Sequence, residues 1–235
     1  MESAEPAGRE VFWGFEDILL FIGLACVSAL ASMFLIKPLH IRSKGVEALT
    51  AQFVLYGFLF LGLYLIFKLK YARPFWRSLG FVPAAGGWWI APAGVALAFG
   101  ISGLGVLLKT PDLDSPMARM LSEPTTIVLF AVFGSTLGPL CEELAFRGLL
   151  QPLLVRNAGP AAGILAAALP FGVMHLPQYG NSCRHALLIT LAGATFGIVR
   201  QAMRSTLAAT VMHSAYNFTF FLALMSKREE FPALW

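Results

Sequence analysis

Charged residues are what this chain has least of: Asp, Glu, Lys and Arg make up 13% of its 235 residues, against roughly 25% in soluble domains. With 57% hydrophobic residues and a mean hydropathy of +0.72, too little polar surface is left for a water-soluble domain to cover several long apolar runs. Cysteine is scarce as well. Cys26, Cys141 and Cys183 are odd in number and far apart, which gives neither a disulfide framework nor a paired-cysteine metal site. Cys141 adjoins a glutamate pair, but no local signature makes it a nucleophile. No HExxH, GxSxG or phosphate-binding loop occurs, so common signatures of zinc peptidases, serine hydrolases and nucleotide hydrolases are missing. Nor is there an internal repeat, a low-complexity stretch or a linker, which reads as a single transmembrane domain over 1–235 with a short polar tail at 1–16. The missing repeat also counts against the many transporters built from duplicated halves. The net charge of +4 comes mostly from Lys and Arg in loops, where such residues set topology and meet lipid headgroups; membrane lipid is an expected partner and nucleic acid is not.

What is present is a succession of apolar runs. At roughly 20 residues per crossing the length allows six to eight spans. The expectation is an all-α polytopic transmembrane helical bundle with about seven to eight membrane-embedded helices. Spans are expected near 17–36, 47–67 and 87–108. The acidic start (Glu2, Glu5, Glu10) lacks the basic region of a cleaved signal peptide. Lys68, Lys70, Arg73 and Arg77 form the densest basic patch, which puts that loop and the N-terminus on the cytoplasmic side. After a polar loop over 109–116, marked by Pro111, Asp112, Asp114 and Pro116, the chain is apolar from 124 to 157, too long for one ordinary crossing. Gly134, Gly138 and Pro139 predict a bend or break there. Further spans are expected near 160–176, 186–200 and 205–225, the last followed by Lys227 and Arg228.

Into the long apolar run the sequence sets Glu142, Glu143 and Arg147. A charged side chain at the centre of a membrane costs roughly 2.5–3.5 kcal/mol on insertion scales, so it normally faces a polar cavity, pairs, and serves chemistry or transport. Glu143 and Arg147 are four apart and share a helical face, whereas Glu142 points about 100° away. One carboxylate is thereby paired and the other left available. Of the four histidines, His40 in a basic loop and His185 at a span entrance read as interfacial. His175 and His213 lie in apolar helices, with Phe171 one turn before His175 and Asn217 one turn after His213.

A carboxylate and a neutral imidazole can orient and deprotonate water, and a second imidazole with an amide can donate to a developing oxyanion. That set suffices for peptide hydrolysis. Glu142, His175 and His213 are equally a first shell for zinc, which would lower the pKa of a bound water to roughly 7. A proton or cation relay in a transporter would use the same ionisable residues.

Three short motifs, in order within the last hundred or so residues, carry a family resemblance. They are Glu142-Glu143-Leu-Ala-Phe-Arg147 (EExxxR, with Pro139 three residues before the pair), Phe171-Gly-Val-Met-His175 (FxxxH) and His213-Ser-Ala-Tyr-Asn217 (HxxxN). The chain resembles the CAAX protease and bacteriocin-processing family (CPBP, or abortive-infection proteins), which includes the type II CAAX prenyl endopeptidases. The resemblance centres on 124–217 and does not visibly cover 1–120. It implies an intramembrane endopeptidase in which Glu142 and His175 activate water, His213 and Asn217 donate to the oxyanion, and Glu143, Arg147 and Phe171 support them. It further implies no cofactor, zinc being the alternative, and a peptide or protein substrate, prenylated or otherwise membrane-associated at its cleavage site. As a short chain it resembles bacterial members, which implies the bacterial cytoplasmic membrane; a catalytically silent immunity protein is also within the family's range. One departure stands before the last span, where Arg204-Ser-Thr-Leu replaces a turn that commonly contains glycine in relatives.

Overall fold

The computed structural model of the protein describes residues 11–111, 115–121 and 124–226. Glu2, Glu5 and Glu10, the loop aspartates Asp112 and Asp114, and Lys227 and Arg228 lie outside the described residues. Among the described residues the structure is helical, without strands. The long helices are α1 (Phe15–Ile36), α2 (Lys44–Leu69), α4 (Ile90–Leu107), α10 (Cys183–Met203) and α11 (Thr206–Met225). Short helices α3 (Phe75–Ser78) and α5 (Pro116–Met120) sit in the connections. Between them the apolar run breaks into α6 (Pro124–Ser135), α7 (Leu137–Glu143) and α8 (Gln151–Ala158), followed by α9 (Pro160–Met174). Among the described residues six segments are long and apolar enough to cross a membrane, and α9 is a shorter apolar helix. The protein is an integral membrane helical bundle.

The expected break falls at Thr136, whose φ of −130° and ψ of −85° leave the helical region. Its hydroxyl donates to the Val132 carbonyl at 2.6 Å, and its carbonyl accepts from Leu140 at 3.1 Å, so backbone groups exposed by the break find partners. Pro139 falls in the first turn of α7, where a missing N–H costs nothing.

Directly after the glutamate pair, Leu144–Leu150 winds as a π-helix. Such wide turns are rare and frequent at functional sites. Pro152 has no N–H, so the carbonyl five residues back, at Arg147, lacks a backbone donor from it; Arg200 Nε donates there at 3.0 Å. The Leu149 carbonyl accepts from Trp13 Nε1 at 3.0 Å. The residues just before α1 are in this way plugged into the π turn, and Trp13 packs with Leu63, Phe67, Phe75, Leu79, Leu144 and Leu153.

A second core joins α4, α10 and α11 through Ile90, Ile101, Leu188, Phe196, Ala208 and Met212. Membrane helices gain little from apolar burial against one another, so close packing and interhelical hydrogen bonds must hold them. Between α10 and α11 Arg204 adopts φ +48°. The turn therefore forms with arginine in the left-handed region, at a steric cost of roughly 1–2 kcal/mol. Ser205 then caps α11, its hydroxyl accepting from the Ala208 N–H at 3.0 Å.

Candidate active site

The end of α7, the end of α9, and facing stretches of α4, α6, α10 and α11 meet around a cavity of about 750 Å³. Glu142, Phe171, His175, His213 and Asn217 line it. Glu143 does not, and its side chain is 0% exposed against 16% for Glu142. The helical direction expected from the sequence separates the neighbours in this way: one faces the cavity and the other faces the protein.

Arg147 is buried and donates from one terminal nitrogen to Glu143 Oε1 at 3.0 Å and from the other to the Gly193 carbonyl at 2.6 Å. The guanidinium also lies over the Phe171 ring, 4.4 Å from its centroid. One helical step along, Gln151 repeats the reach and donates to the Gly197 carbonyl at 2.9 Å. Both acceptors are glycines for a steric reason. A Cβ at 193 would stand 2.8 Å from the Arg147 nitrogen and from Phe171, and one at 197 would stand 2.7 Å from Gln151 Oε1.

Sequence reasoning paired Glu143 with Arg147 alone; the structure adds His213. Its Nδ1 lies 2.9 Å from the same Glu143 Oε1. A carboxylate that already accepts from a guanidinium is ionised and can only accept again, so His213 Nδ1 carries a proton. Nε2 then faces Glu142 Oε2 at 3.9 Å. The ring is held flat against Phe196, centroids 4.5 Å apart at 18°, and edge-on to Phe171 at 5.8 Å. His175 follows the last residue of α9, its Nδ1 2.6 Å from the Phe171 carbonyl and its ring 4.8 Å from the Phe171 ring. Phe171 is thus the apolar spacer that touches Arg147, His175 and His213 together. Asn217 donates from its amide to the Gly134 carbonyl, just before the break, at 2.7 Å; one amide N–H remains for another acceptor.

Four cavity features were missed or dismissed at the sequence level. Gln52 lines the wall, and Tyr56 beyond it reaches Glu142. Tyr179 and His185, stacked at 5.0 Å and 14°, also line the cavity, His185 from the first turn of α10. Burial, with the Glu142 charge behind it, pushes the Tyr179 phenol above its ordinary value. Gln52 and Tyr56, polar and four apart in an apolar span, were the available signal. Cys141 is buried beside Glu142.

The proposed zinc ligands do not converge. Among the described residues no three of His, Cys, Asp and Glu form a group that could hold a metal ion. The donor set Glu142, His175 and His213 does not fit one as it stands, and no step below is routed through a metal.

Residues 124–219 match the family described as type II CAAX prenyl endopeptidase Rce1-like. The match begins at α6 and ends within α11, so it takes in every side chain of the three motifs and none of α1 to α5. No curated protein and no solved structure matches the chain.

Proposed function

We infer, from the premise that residues 124–219 belong to the type II CAAX prenyl endopeptidase family, that the protein is an intramembrane endopeptidase which hydrolyses a peptide bond with a water activated by Glu142. The family is one of CAAX-type proteases; the chemistry below is our reading. The observation that carries it is the division of labour between neighbours: Glu142 faces the cavity, while Glu143 is buried and committed to Arg147 and His213.

In the proposed reaction Glu142, with His175 orienting the water, takes one proton as the water oxygen bonds to the scissile carbonyl carbon. The carbonyl oxygen becomes an oxyanion, which accepts from the free amide N–H of Asn217 and from His213 Nε2. Donation from Nε2 requires His213 protonated at both nitrogens. When the C–N bond breaks, Glu142 returns the proton to the leaving amine. The new carboxyl group keeps the water's second proton and yields it to the released amine, so the products are a carboxylate and an ammonium, and no cofactor is consumed. Substrate would be a peptide or protein tail, prenylated or otherwise membrane-associated, with the bacterial cytoplasmic membrane as the proposed location on the strength of the family resemblance.

The test is to reconstitute wild type and Glu142→Gln in liposomes with a library of membrane-anchored peptides, prenylated and not, with and without chelator. Wild type should cleave with chelator present, and Glu142→Gln should lose at least about 100-fold in rate. Loss of activity with chelator and its return with zinc would replace the metal-free scheme. A Glu142→Gln variant that cleaves at the wild-type rate would remove Glu142 from its role.

A further inference from the structure

Glu142 has a partner outside the family-matched segment. Tyr56, in the middle of α2, directs its hydroxyl to Glu142 Oε1 at 3.5 Å. One turn earlier Gln52 donates its amide N–H to the same hydroxyl oxygen at 2.9 Å. An oxygen that accepts from Gln52 turns its own proton away from it, and the carboxylate lies on that side. The Tyr56 ring is fixed independently, stacked on Phe133 of α6 with centroids 6.0 Å apart at 10°, and edge-on to Phe60 at 6.3 Å. Position and proton direction are thus both set before a substrate arrives.

A glutamate needs such a guide. The last torsion of its side chain is broad and roughly two-fold, so no rotamer well fixes which oxygen points where. At Glu142 the two oxygens have unlike neighbours: Oε1 has Tyr56, and Oε2 has His213 Nε2 at 3.9 Å. The 3.5 Å separation is long for an O–H donor, which is the slack that catalytic hydrogen bonds often show before substrate tightens them.

We propose that Tyr56, oriented by Gln52, is a positioning residue that holds the Glu142 carboxylate by Oε1 so that Oε2 is the oxygen presented for proton transfer. This rests on Glu142 being the proton acceptor. It means that α2, which lies outside residues 124–219, completes the site, and that the motif-bearing helices alone leave the carboxylate free to rotate.

The test uses Tyr56→Phe, which keeps the ring and its stacking and removes only the hydroxyl. In the full-length protein in liposomes, the infrared carboxylate stretch of Glu142 is the band that Glu142→Gln removes. Tyr56→Phe should shift that band, and with a peptide that wild type cleaves it should lower kcat about 10-fold while KM stays within about 2-fold. Gln52→Leu should shift the band as well, and Gln52→Glu should not restore it, because an ionised head only accepts and draws the phenol proton away from Glu142. An unmoved Glu142 band overturns the proposal whether or not a cleaved peptide has been found, and so does a kcat loss that merely tracks folded yield. If Glu142→Gln proves fully active the catalytic reading fails; if Glu142→Gln is inactive and Tyr56→Phe behaves as wild type, the positioning role alone fails.

Discussion

Asp17, at the start of α1, and Glu143, at the end of α7, each hold a cation and a second side-chain donor, yet their surroundings are opposite. Asp17 accepts from Lys70 at 2.7 Å, Tyr71 at 2.6 Å and the Gly14 N–H at 2.9 Å, using both oxygens. Lys70 itself is 47% exposed, so solvent shares the charge. Glu143 accepts from Arg147 and His213 through Oε1 alone, and Oε2 is buried with no protein partner among the described residues. Arg147 opposite it is as deeply buried. The first cluster ties the end of α2 to the beginning of α1 with its carboxylate buried but its cation open to water. The second buries both, and it also orients an imidazole of the site.

The sharpest way to break this comparison is to remove a buried cation. Arg147→Met leaves Glu143 charged and enclosed, and should cost about 3–5 kcal/mol, read as lost folded yield and early unfolding in detergent. Arg147→Lys should not restore it, because a single ammonium does not span Glu143 and the Gly193 carbonyl as the guanidinium fork does. Yield equal to wild type for Arg147→Met would show that Glu143 has found another partner.

Next in size is the contrast between the adjacent glutamates. Glu143→Gln should fall in folded yield as well as in turnover, since Arg147 loses its countercharge. Glu142→Gln should fall in turnover only. Equal yields for the two variants would mean that the assignment of the pair is reversed. A smaller effect is expected from Gly193→Ala, about 1–3 kcal/mol, because the new methyl must displace either Arg147 or Phe171. The same change at Gly100, whose Cβ would meet nothing within 4 Å, is the control: helix propensity there predicts a gain of up to about 1 kcal/mol, and a loss matching that at Gly193 would remove the contact explanation.

The smallest effect belongs to the peripheral cluster. Its hydrogen bond to Asp17 keeps Lys70 protonated above the ordinary lysine value of 10.5. Burial, and then donation to Asp17, raise Tyr71 above 10.0. Both groups hold their protons more tightly when folded, so their contribution is complete below those ordinary values and is lost as pH rises past them. Unfolding of wild type in detergent, followed between pH 9 and about 12, should show a modest loss of stability at the alkaline end. Asp17→Asn should flatten that loss. An unchanged alkaline slope in Asp17→Asn would assign it to other lysines or tyrosines.

The helices and the three motifs were legible because apolar length and i to i+4 spacing are written in side chains. The cavity face of Glu142 and the buried face of Glu143 followed from the same arithmetic. What stayed hidden involves backbone or distance. The carbonyls of Gly193 and Gly197 receive Arg147 and Gln151, and a carbonyl leaves no mark in a sequence; only the matching four-residue spacing of 147 and 151 with 193 and 197 hints at it. Tyr56 meets Glu142 across 86 positions, a separation that local patterns do not bridge. His213 serving Glu143 is a third case, since the motifs align it with Asn217 on its own helix and say nothing of the helix opposite.

The π turn at Leu144–Leu150 has a further consequence, one of phase. A wide turn carries more residues per revolution than the helix on either side, so it resets the rotational frame of everything after it. Winding the same residues at 3.6 per turn, with none lost, would swing the downstream segment by roughly 100°. Gln151 would then leave the Gly197 carbonyl, and the Leu149 carbonyl would leave Trp13, without any motif residue being altered. The site therefore depends on a residue count as well as on residue identity: with the present count between Glu143 and Gln151 the phase needs the wide turn, whereas a chain one residue shorter there would nearly keep it as an ordinary helix.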